Sequence, residues 1–245
     1  METREKQAYL IEAHQCDEML LTLLRMLDVP WNDIFIHMDS KNMGYQPETV
    51  ERYLKHAKVF QAERYSVVWG GISQVKAELS LLKAAVSHGP YQHYHLISGV
   101  DLPIKTPEQI RDFFEANPDK EFVSIHMEPL TPYVSDRVYC SHLFPDTDLR
   151  QSRWKYYADT VWIFIQHMLH LKYNRDVVFK KGSNWFSCTD GFARYLLSKE
   201  DWIIKTFTKT ICSDELFAQT LLFASPYIRK EPELVQEIER LYGPQ

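Results

Sequence analysis

Two aspartates, Asp39 and Asp101, directly follow apolar runs of strand length in this sequence. Where strands alternate with helices, ligands bind at the carboxyl ends of the strands. A carboxylate at such a position can accept hydrogen bonds from a ribose or sugar hydroxyl. It can equally well cap a helix or a turn. Taken singly, each aspartate therefore supports either role.

Glu215 is the candidate for acid–base chemistry. It begins an apolar helical run, and Asp214 precedes it. An alcohol that attacks an anomeric carbon needs a carboxylate within hydrogen-bond reach to take its proton. A partly buried position beside a second carboxylate favours such a base. Alternatively, an acidic residue in a first helical turn only complements the helix dipole.

Two further patterns carry weaker signals. Gly70 and Gly71 precede a helix, where they either let a ligand approach the backbone or form a turn. His93 and His95 share a strand face, as metal ligands do, but no third ligand at a suitable spacing accompanies them. A surface or core role is the alternative for both histidines.

Composition excludes several classes of protein. The 245 residues are 45% hydrophobic and 25% charged, which is typical of a globular chain with one large core. The formal net charge of -5 provides no overall positive field for nucleic acid, so we expect no nucleic-acid partner. The apolar runs are too short to cross a bilayer, and the four scattered cysteines indicate reduced thiols.

Apolar periodicity predicts an α/β fold in which a mostly parallel sheet is flanked by helices within a single domain, residues 1–245. The predicted strands are 7–11, 33–38, 58–62, 94–97, 121–125 and 184–188, and the predicted helices are 16–27, 73–87, 107–114, 158–171, 191–197, 214–223 and 231–242. The helix at 158–171 is amphipathic. It packs against the sheet domain in one interpretation and contacts a membrane in the other.

Residues 127–181 form a basic, aromatic and irregular stretch that we interpret as an insertion over the ligand crevice. Arg137, Arg153 and Trp154 fit an acceptor platform, because aromatic faces stack on sugar rings and guanidinium groups hold acidic sugars. A solvated loop fits the same residues. Residues 226–245 form a short C-terminal tail.

Six segments, in their order along the chain, resemble the Core-2/I-branching glycosyltransferase family, which includes β-1,6-N-acetylglucosaminyltransferases and peptide O-xylosyltransferases. The resemblance covers about residues 7–225. The segments are Ala8-Tyr9-Leu10-Ile11 with His14, Ile36-His37-Met38-Asp39-Ser40-Lys41, Trp69-Gly70-Gly71-Ile72-Ser73, the run from His95 to Thr106, Lys181-Gly182-Ser183-Asn184-Trp185-Phe186, and the run from Ser213 to Thr220.

The resemblance implies a GT-A type nucleotide-sugar-binding fold with residues 127–181 on the acceptor side. It also implies an inverting, single-displacement transfer from a UDP-sugar donor to a hydroxyl of a glycan or polysaccharide acceptor. By position in the matching segments, the resemblance implies that Asp39 contacts the uridine, with His14 nearby, and that Trp69 lies beside the donor. It implies that Asp101 lies in the sugar pocket and that Asn184 and Trp185 meet the transferred sugar and the acceptor. It also implies that Glu215 is the catalytic base.

The donor implied is UDP-N-acetylglucosamine. Xylosyltransferase-like members carry Asp in place of Asn184, so UDP-xylose is the alternative donor. The family works without metal and uses basic side chains near the C-terminus, so we expect no metal and no cofactor. Arg229 and Lys230 are the candidates for the diphosphate. The Asp146-Thr147-Asp148 run has the letters of a metal-binding motif, but we interpret it as a solvated turn.

A second hypothesis follows from the weak match of the tail. Without a basic diphosphate-binding segment, the chain would be a catalytically impaired protein that binds a sugar nucleotide or a glycan. No signal or anchor is recognisable at residues 1–7, so we expect a cytoplasmic protein, peripheral at the inner face of the membrane.

Overall fold

The structure, a computed structural model, describes residues 6–230, so the helix predicted at 231–242 lies outside the described residues. The chain divides into two compact units. The first comprises Met1–Val67, Ser73–Asp119 and Trp185–Glu200, and the second comprises Val68–Ile72, Lys120–Asn184 and Asp201–Gln245. The expectation of one domain stays a prediction.

The first unit contains a five-stranded sheet in the order β3-β2-β1-β4-β5. The first four strands are parallel where they pair, and β5 runs antiparallel to β4. The predicted mixed α/β fold with a mostly parallel sheet is confirmed, and it is consistent with a GT-A-like fold. The strands are β1 (Gln7–Ala13), β2 (Asn32–Met38), β3 (Lys58–Gln61), β4 (His93–Ser98) and β5 (Phe186–Thr189).

Nine α-helices lie within the described residues. They are α1 (Glu18–Leu27), α2 (Pro47–Glu51), α3 (Ile72–His88), α4 (Pro107–Glu115), α5 (Pro132–Tyr139), α6 (Arg153–Met168), α7 (Asp190–Ser198), α8 (Glu200–Phe207) and α9 (Phe217–Phe223). Short 3-10 turns cover Leu149–Gln151, Ser213–Glu215 and Pro226–Lys230.

Local sequence explains why the elements of the first unit form. Strand β1 is buried on both faces, as expected of a central parallel strand. The Asp17 carboxylate caps α1 by accepting the backbone N–H groups of Met19 and Leu20. Helix α1 then buries its leucine face against Tyr9 and Ile11 of β1. A reciprocal capping box begins α4, which packs Phe114 against the histidines of β4.

Several predicted elements differ from the structure. The strand predicted at 121–125 is absent from the named strands of the described chain, although His126 forms an isolated antiparallel bridge with Lys181. The helix predicted at 214–223 is divided into the Ser213–Glu215 turn and α9, because Leu216 leaves helical geometry. Residues 127–181 are not irregular throughout, since they contain α5 and α6.

Helix α6 is also oriented differently from the interpretation that its apolar residues pack against the sheet domain. Its buried residues are the polar Asp159 and Gln166, whereas Val161, Phe164 and Met168 are exposed. Across residues 6–230, no helix combines the length and the apolar composition needed to span a bilayer.

Candidate active site

In the first unit, loops at the carboxyl ends of three adjacent parallel strands lie next to one another. The backbone N–H of Asp39 donates to the carbonyl of Ala13 at 2.8 Å, and the N–H of Gly99 donates to that of Glu12 at 2.8 Å. The Asn42 amide contacts the carbonyl of His14 at 3.4 Å. The loops that carry His14, Asp39 and Asp101 are therefore brought to one edge of the sheet, as predicted for a β/α crevice.

Asp39 is buried and closes its own turn. Its Oδ1 accepts the backbone N–H of Lys41 at 2.8 Å, and the Lys41 ammonium lies 3.3 Å from Oδ2. The Arg64 guanidinium donates to the carbonyls of Met38, Asp39 and Asn42, which stabilises the same loop. Both oxygens of this carboxylate thus have partners within the loop.

Asp101 also closes a turn, because its Oδ2 accepts the backbone N–H of Ser98 at 3.0 Å. The side chain itself is exposed, as is that of His14. Glycine is needed at position 99, since a Cβ there would lie 2.9 Å from the Cβ of Ala13. The close approach of these two backbones sets where the loop that carries Asp101 begins.

In the second unit, two cations hold Glu215. Its Oε2 lies 3.2 Å from Nη1 of Arg137 and 3.1 Å from Nζ of Lys181. The Glu215 side chain is 34% exposed, so solvent and ligands can reach it. No residue described in the structure donates a hydrogen bond to the other oxygen, Oε1. Glu215 is therefore a positioned carboxylate with one oxygen available to a ligand.

Asp214 is the more deeply buried carboxyl of this pair. Its side-chain Oδ1 has no hydrogen-bond partner among the described residues. Burial, followed by the negative charge of Glu215, raises the pKa of Asp214 to about 6. Glu215 itself is partly buried beside this second carboxyl, and Asp214 is the more deeply buried of the two.

The segment that carries Asn184 is anchored beside Glu215. The N–H of Gly182 donates to the backbone carbonyl of Glu215 at 2.9 Å, and the Gln219 amide donates to the carbonyl of Ser183. A Cβ at Gly182 would overlap the Ser124 carbonyl oxygen, so this contact requires glycine. Asn184 is half-buried in the second unit. Trp185 is half-buried in the first unit, where it precedes β5.

Trp69 lies in a loop of the second unit that is hydrogen-bonded to the segment preceding Glu215. The Cys212 N–H donates to the Gly70 carbonyl at 2.7 Å, and Cys212 immediately precedes the Ser213–Glu215 turn. Gly70 has φ +72°, and Cys212 has φ +51°, which is uncommon for a residue other than glycine. The Trp69 ring is 57% exposed and carries the Arg150 guanidinium 3.7 Å from its centroid.

A cavity of about 420 Å³ lies in the second unit beside these residues. Its volume falls in the range of small-molecule sites, and its wall contains four aromatic rings and two guanidinium groups. The residues that line it include Trp69, Tyr133, Arg150, Arg153, Tyr156 and Cys212. Such a wall can stack on sugar rings and donate hydrogen bonds to their oxygens.

The Asp146-Thr147-Asp148 run lies in a turn, in agreement with its interpretation. Asp148 accepts two hydrogen bonds from the Arg150 side chain, at 2.8 and 2.9 Å, and this hydrogen bonding lowers the pKa of Asp148 to about 2. A different cluster has the donor chemistry of a zinc site. It consists of Asp136, Cys140 and His167, whose ligand atoms lie within 4.8 Å of one another.

His93 and His95 belong to the core of the first unit. His95 lies 2.8 Å from the Ser187 hydroxyl and 3.1 Å from the Gln7 side-chain oxygen. Burial lowers the pKa of His95 to about 3, so the ring is neutral at physiological pH. The core alternative thus describes His95. Arg229 and Lys230 lie in the 3-10 turn Pro226–Lys230, and their side chains are outside the description.

Sequence reasoning missed the partners of Glu215. Lys181 stood in a matching segment without a role, and Arg137 was assigned to an acceptor platform. In the structure, the Arg137 guanidinium lies between Glu215 and the ring of Tyr133, 4.7 Å from the ring centroid. Because 78 residues separate Arg137 from Glu215, no local spacing could have indicated this pair.

The fold and the polar loops at its strand ends define an α/β protein of the class that binds ligands at the carboxyl edge of a parallel sheet. The family model described as Core-2/I-Branching enzyme matches residues 7–237. The chain belongs to this family. The family description and the names of similar proteins indicate a glycosyltransferase.

Similar proteins carry two kinds of transferase name. Xylosyltransferase 2 of Mus musculus is 24% identical over 230 residues, which is 89% of this chain and 24% of the relative. The human probable beta-1,3-galactosyl-O-glycosyl-glycoprotein beta-1,6-N-acetylglucosaminyltransferase 7 is 29% identical over 141 residues, 56% of this chain and 32% of the relative. The chain thus spans about a quarter of the length of the mouse relative and a third of the human one.

Proposed function

We propose that this chain is an inverting glycosyltransferase that moves a sugar from a UDP-sugar to a hydroxyl of a glycan acceptor by single displacement. The observation that carries the proposal is the geometry of Glu215. One oxygen is fixed by two cations, the other is available, and the segments that contain Trp69 and Asn184 are bonded next to it. Membership of a glycosyltransferase family supports the same reaction class.

In this reaction Glu215 Oε1 accepts the proton of the attacking hydroxyl. The hydroxyl oxygen bonds to the anomeric carbon while the bond from that carbon to the diphosphate oxygen breaks. UDP leaves with the bonding electron pair, so an α-linked donor gives a β-glycoside. The ion pairs to Arg137 and Lys181 restrict the carboxylate rotamer, which keeps Oε1 in place for the proton transfer.

We assign the uridine to the loops at the carboxyl ends of β1 and β2, with Asp39 and His14 as its contacts, and the transferred sugar to Asp101. Asp39 is buried in a loop that the Arg64 guanidinium stabilises by hydrogen bonds to backbone carbonyls. The carboxylate is therefore a rigid acceptor for ribose hydroxyls. Because Lys41 pairs with the same carboxylate, a bound ribose would compete with the Lys41 ammonium.

We assign the acceptor to the cavity in the second unit. Exposed rings of Trp69, Tyr133 and Tyr156 provide stacking faces, and Arg153 has no ion-pair partner within the described part of the chain. An acceptor with a carboxylate or other acidic group would suit this guanidinium. Trp69, which the resemblance placed beside the donor, also lines this cavity.

The donor sugar is proposed to be N-acetylglucosamine, with xylose as the second candidate because several similar proteins are named xylosyltransferases. The reaction is proposed to need no metal, the leaving diphosphate being neutralised by basic side chains such as Arg229 and Lys230. The proposed location is the inner face of the membrane, in contact with polysaccharide or oligosaccharide acceptors.

The test measures UDP release from UDP-N-acetylglucosamine and from UDP-xylose with a panel of hydroxyl-bearing glycans, with and without a chelator. Glu215→Gln is expected to lower the turnover rate by roughly 10² to 10⁴ and to leave UDP affinity unchanged. Glu128→Gln is the matched control, since Glu128 is an exposed glutamate of the same unit. Asp39→Ala is expected to weaken UDP binding by about 1 to 3 kcal/mol.

Each outcome decides between named alternatives. Full activity of Glu215→Gln would remove this residue from the mechanism. UDP-sugar binding without turnover on any acceptor would favour the catalytically impaired binding protein. Loss of turnover in the chelator would overturn metal independence, and faster turnover with UDP-xylose would replace the donor assignment.

A further inference from the structure

Helix α6 presents an apolar face outward and a polar face inward. Its outward residues recur every three or four positions, which places them in a sector of about 80° on the helical wheel. Asp159 and Gln166 occupy the opposite side. The outward residues are Trp154, Tyr157, Val161, Phe164 and Met168, which are 57–67% exposed.

Specific hydrogen bonds fix this orientation. The Asp159 carboxylate accepts the His142 ring N–H and the backbone N–H of Leu143, both at 2.7 Å. Gln166 bonds both backbone groups of Ser141, accepting its N–H and donating to its carbonyl, each at 2.9 Å. Rotating the helix to bury the apolar face would break all of these bonds.

Exposed apolar residues also follow the end of the helix in the sequence. Leu169, Leu171 and Val178 are exposed as well, at 56%, 45% and 67%. The outward residues of α6 are neighbours on one helix face, and such a contiguous apolar surface on a folded chain marks an interaction site. We call the outward residues of α6 together with these three the α6 apolar surface.

Cations flank this surface although the whole chain has a net charge of -5. Between Arg153 and Val178 the chain carries four Lys or Arg residues and two acidic residues, Asp159 and Asp176. Asp159 is buried and Asp176 is exposed, so the cations outnumber the exposed acids by four to one. Arg153 and Lys155 lie at the start of α6, and Lys172 and Arg175 follow its end.

We propose that the α6 apolar surface docks on the surface of an anionic lipid bilayer, with α6 lying in the plane of the interface. An apolar face with Trp and Tyr, flanked by Lys and Arg, is the pattern of an interfacial helix. A helix of 16 residues is about 24 Å long and would lie along the headgroup region. Lys155, Lys172 and Arg175 would contact anionic headgroups.

Charge argues against a second copy of the chain as the occupant. If two copies packed these surfaces together, either antiparallel or parallel, cations at the helix ends would meet cations of the partner. Like charges brought together across an interface oppose association. An anionic bilayer, by contrast, attracts the same cations, so the electrostatic interaction favours binding.

The experiment compares binding of the full chain to vesicles of phosphatidylcholine alone and to vesicles with one part phosphatidylglycerol to three parts phosphatidylcholine. Flotation gives the bound fraction. Binding to the anionic vesicles is expected to be roughly tenfold stronger and to weaken as salt is added. Lys155→Gln combined with Arg175→Gln is expected to reduce it by roughly tenfold.

The decisive variant combines Val161→Glu with Phe164→Glu, and the matched control combines Met43→Glu with Ile104→Glu. Both pairs replace two exposed apolar side chains by glutamate and change the net charge equally, but Met43 and Ile104 lie in the first unit. The α6 pair is expected to lose at least tenfold in binding, whereas the control stays within about twofold of the parent chain.

Three results would overturn the proposal, provided that circular dichroism shows an intact fold. They are equal loss in both pairs, no binding of the parent chain to either vesicle, and a homodimer in light scattering that the α6 pair dissociates without any vesicle binding. Because vesicle binding is measured without a sugar donor, its failure is distinguishable from failure of the proposed transfer reaction.

Discussion

Asp214→Asn should stabilise the protein at neutral pH, because the native state holds a buried carboxyl whose charge is poorly compensated. The pKa of Asp214 is raised from 3.8 to about 6 by burial and by the Glu215 charge. A group whose pKa is higher in the folded than in the unfolded state makes folding less favourable as pH rises through the interval between the two values. Asparagine removes the ionisation while keeping an acceptor for the neighbouring backbone N–H groups.

The size of the effect follows from the interval of about two pKa units. At about 1.36 kcal/mol per unit, ionisation of Asp214 costs about 3 kcal/mol of folding free energy at pH 8. At pH 5 the folded state is still largely protonated, and the same relation gives about half of that cost. The advantage of Asp214→Asn over the parent chain should therefore halve between pH 8 and pH 5, and it should vanish below the unfolded-state pKa near 4.

Urea denaturation followed by circular dichroism at several pH values measures this difference. Asp176→Asn is the matched control, because Asp176 is an exposed aspartate of the same unit and its replacement should shift stability by less than about 0.5 kcal/mol at any pH. A stability gain that does not change with pH, or no gain at pH 8, would refute the account of Asp214 as a buried, ionising carboxyl.

Two further substitutions test packing and hydrogen bonding within the second unit. Gly182→Ala should destabilise the protein by about 2 kcal/mol or more and lower turnover, because its Cβ would overlap the Ser124 carbonyl. Gly44→Ala is the control and should leave both stability and turnover unchanged, since nothing lies within 4 Å of its Cβ. Equal effects of the two substitutions would contradict the packing argument. Asp159→Ala should lower the free energy of unfolding in urea by about 3 to 5 kcal/mol, because it leaves His142 and the Leu143 N–H without their buried acceptor. Thr160→Ala, at an exposed position, is the control and should lower it by less than about 1 kcal/mol. A small loss for Asp159→Ala would show that water replaces the carboxylate.

Sequence periodicity predicted most of the sheet because each strand is an apolar run of its own. The expected runs at 7–11 and 33–38 correspond to β1 and β2, and the pattern of strand and helix predicted their parallel pairing. The run at 121–125 is also rich in apolar residues, but it forms isolated bridges, at Phe122 and at His126, instead of a strand. Pairing with a partner strand decides whether an apolar run becomes a strand, and no local pattern contains that information.

Helix α6 shows the opposite limitation. Its period was recognisable, but periodicity indicates only that the two faces differ and does not indicate which face is buried. The face is chosen by Ser141 and His142, which bond Gln166 and Asp159. These bonds join residues 17 to 25 positions apart, so only the folded chain shows them.

Some features of the candidate site could be predicted from sequence, and others could not. The positions of Asp39 and Asp101 at strand ends followed from the sheet pattern, and the structure places their loops side by side in the first unit. The electrostatics of Glu215 did not follow from sequence, since Arg137 approaches from α5. The sequence also did not indicate that Asp214, one residue earlier, is the more deeply buried carboxyl.

Several strained or unsatisfied groups of the second unit lie next to Glu215. Cys212 adopts φ +51°, Asp214 has a buried oxygen without a partner, and Gly182 fits only without a Cβ. Such features cost stability and persist where the surrounding structure imposes them, most often at functional sites. Asp39, by contrast, has both oxygens satisfied within its own loop, as a purely structural cap would. The proposed base Glu215 thus lies among these features, whereas the proposed role of Asp39 requires a ligand to displace Lys41.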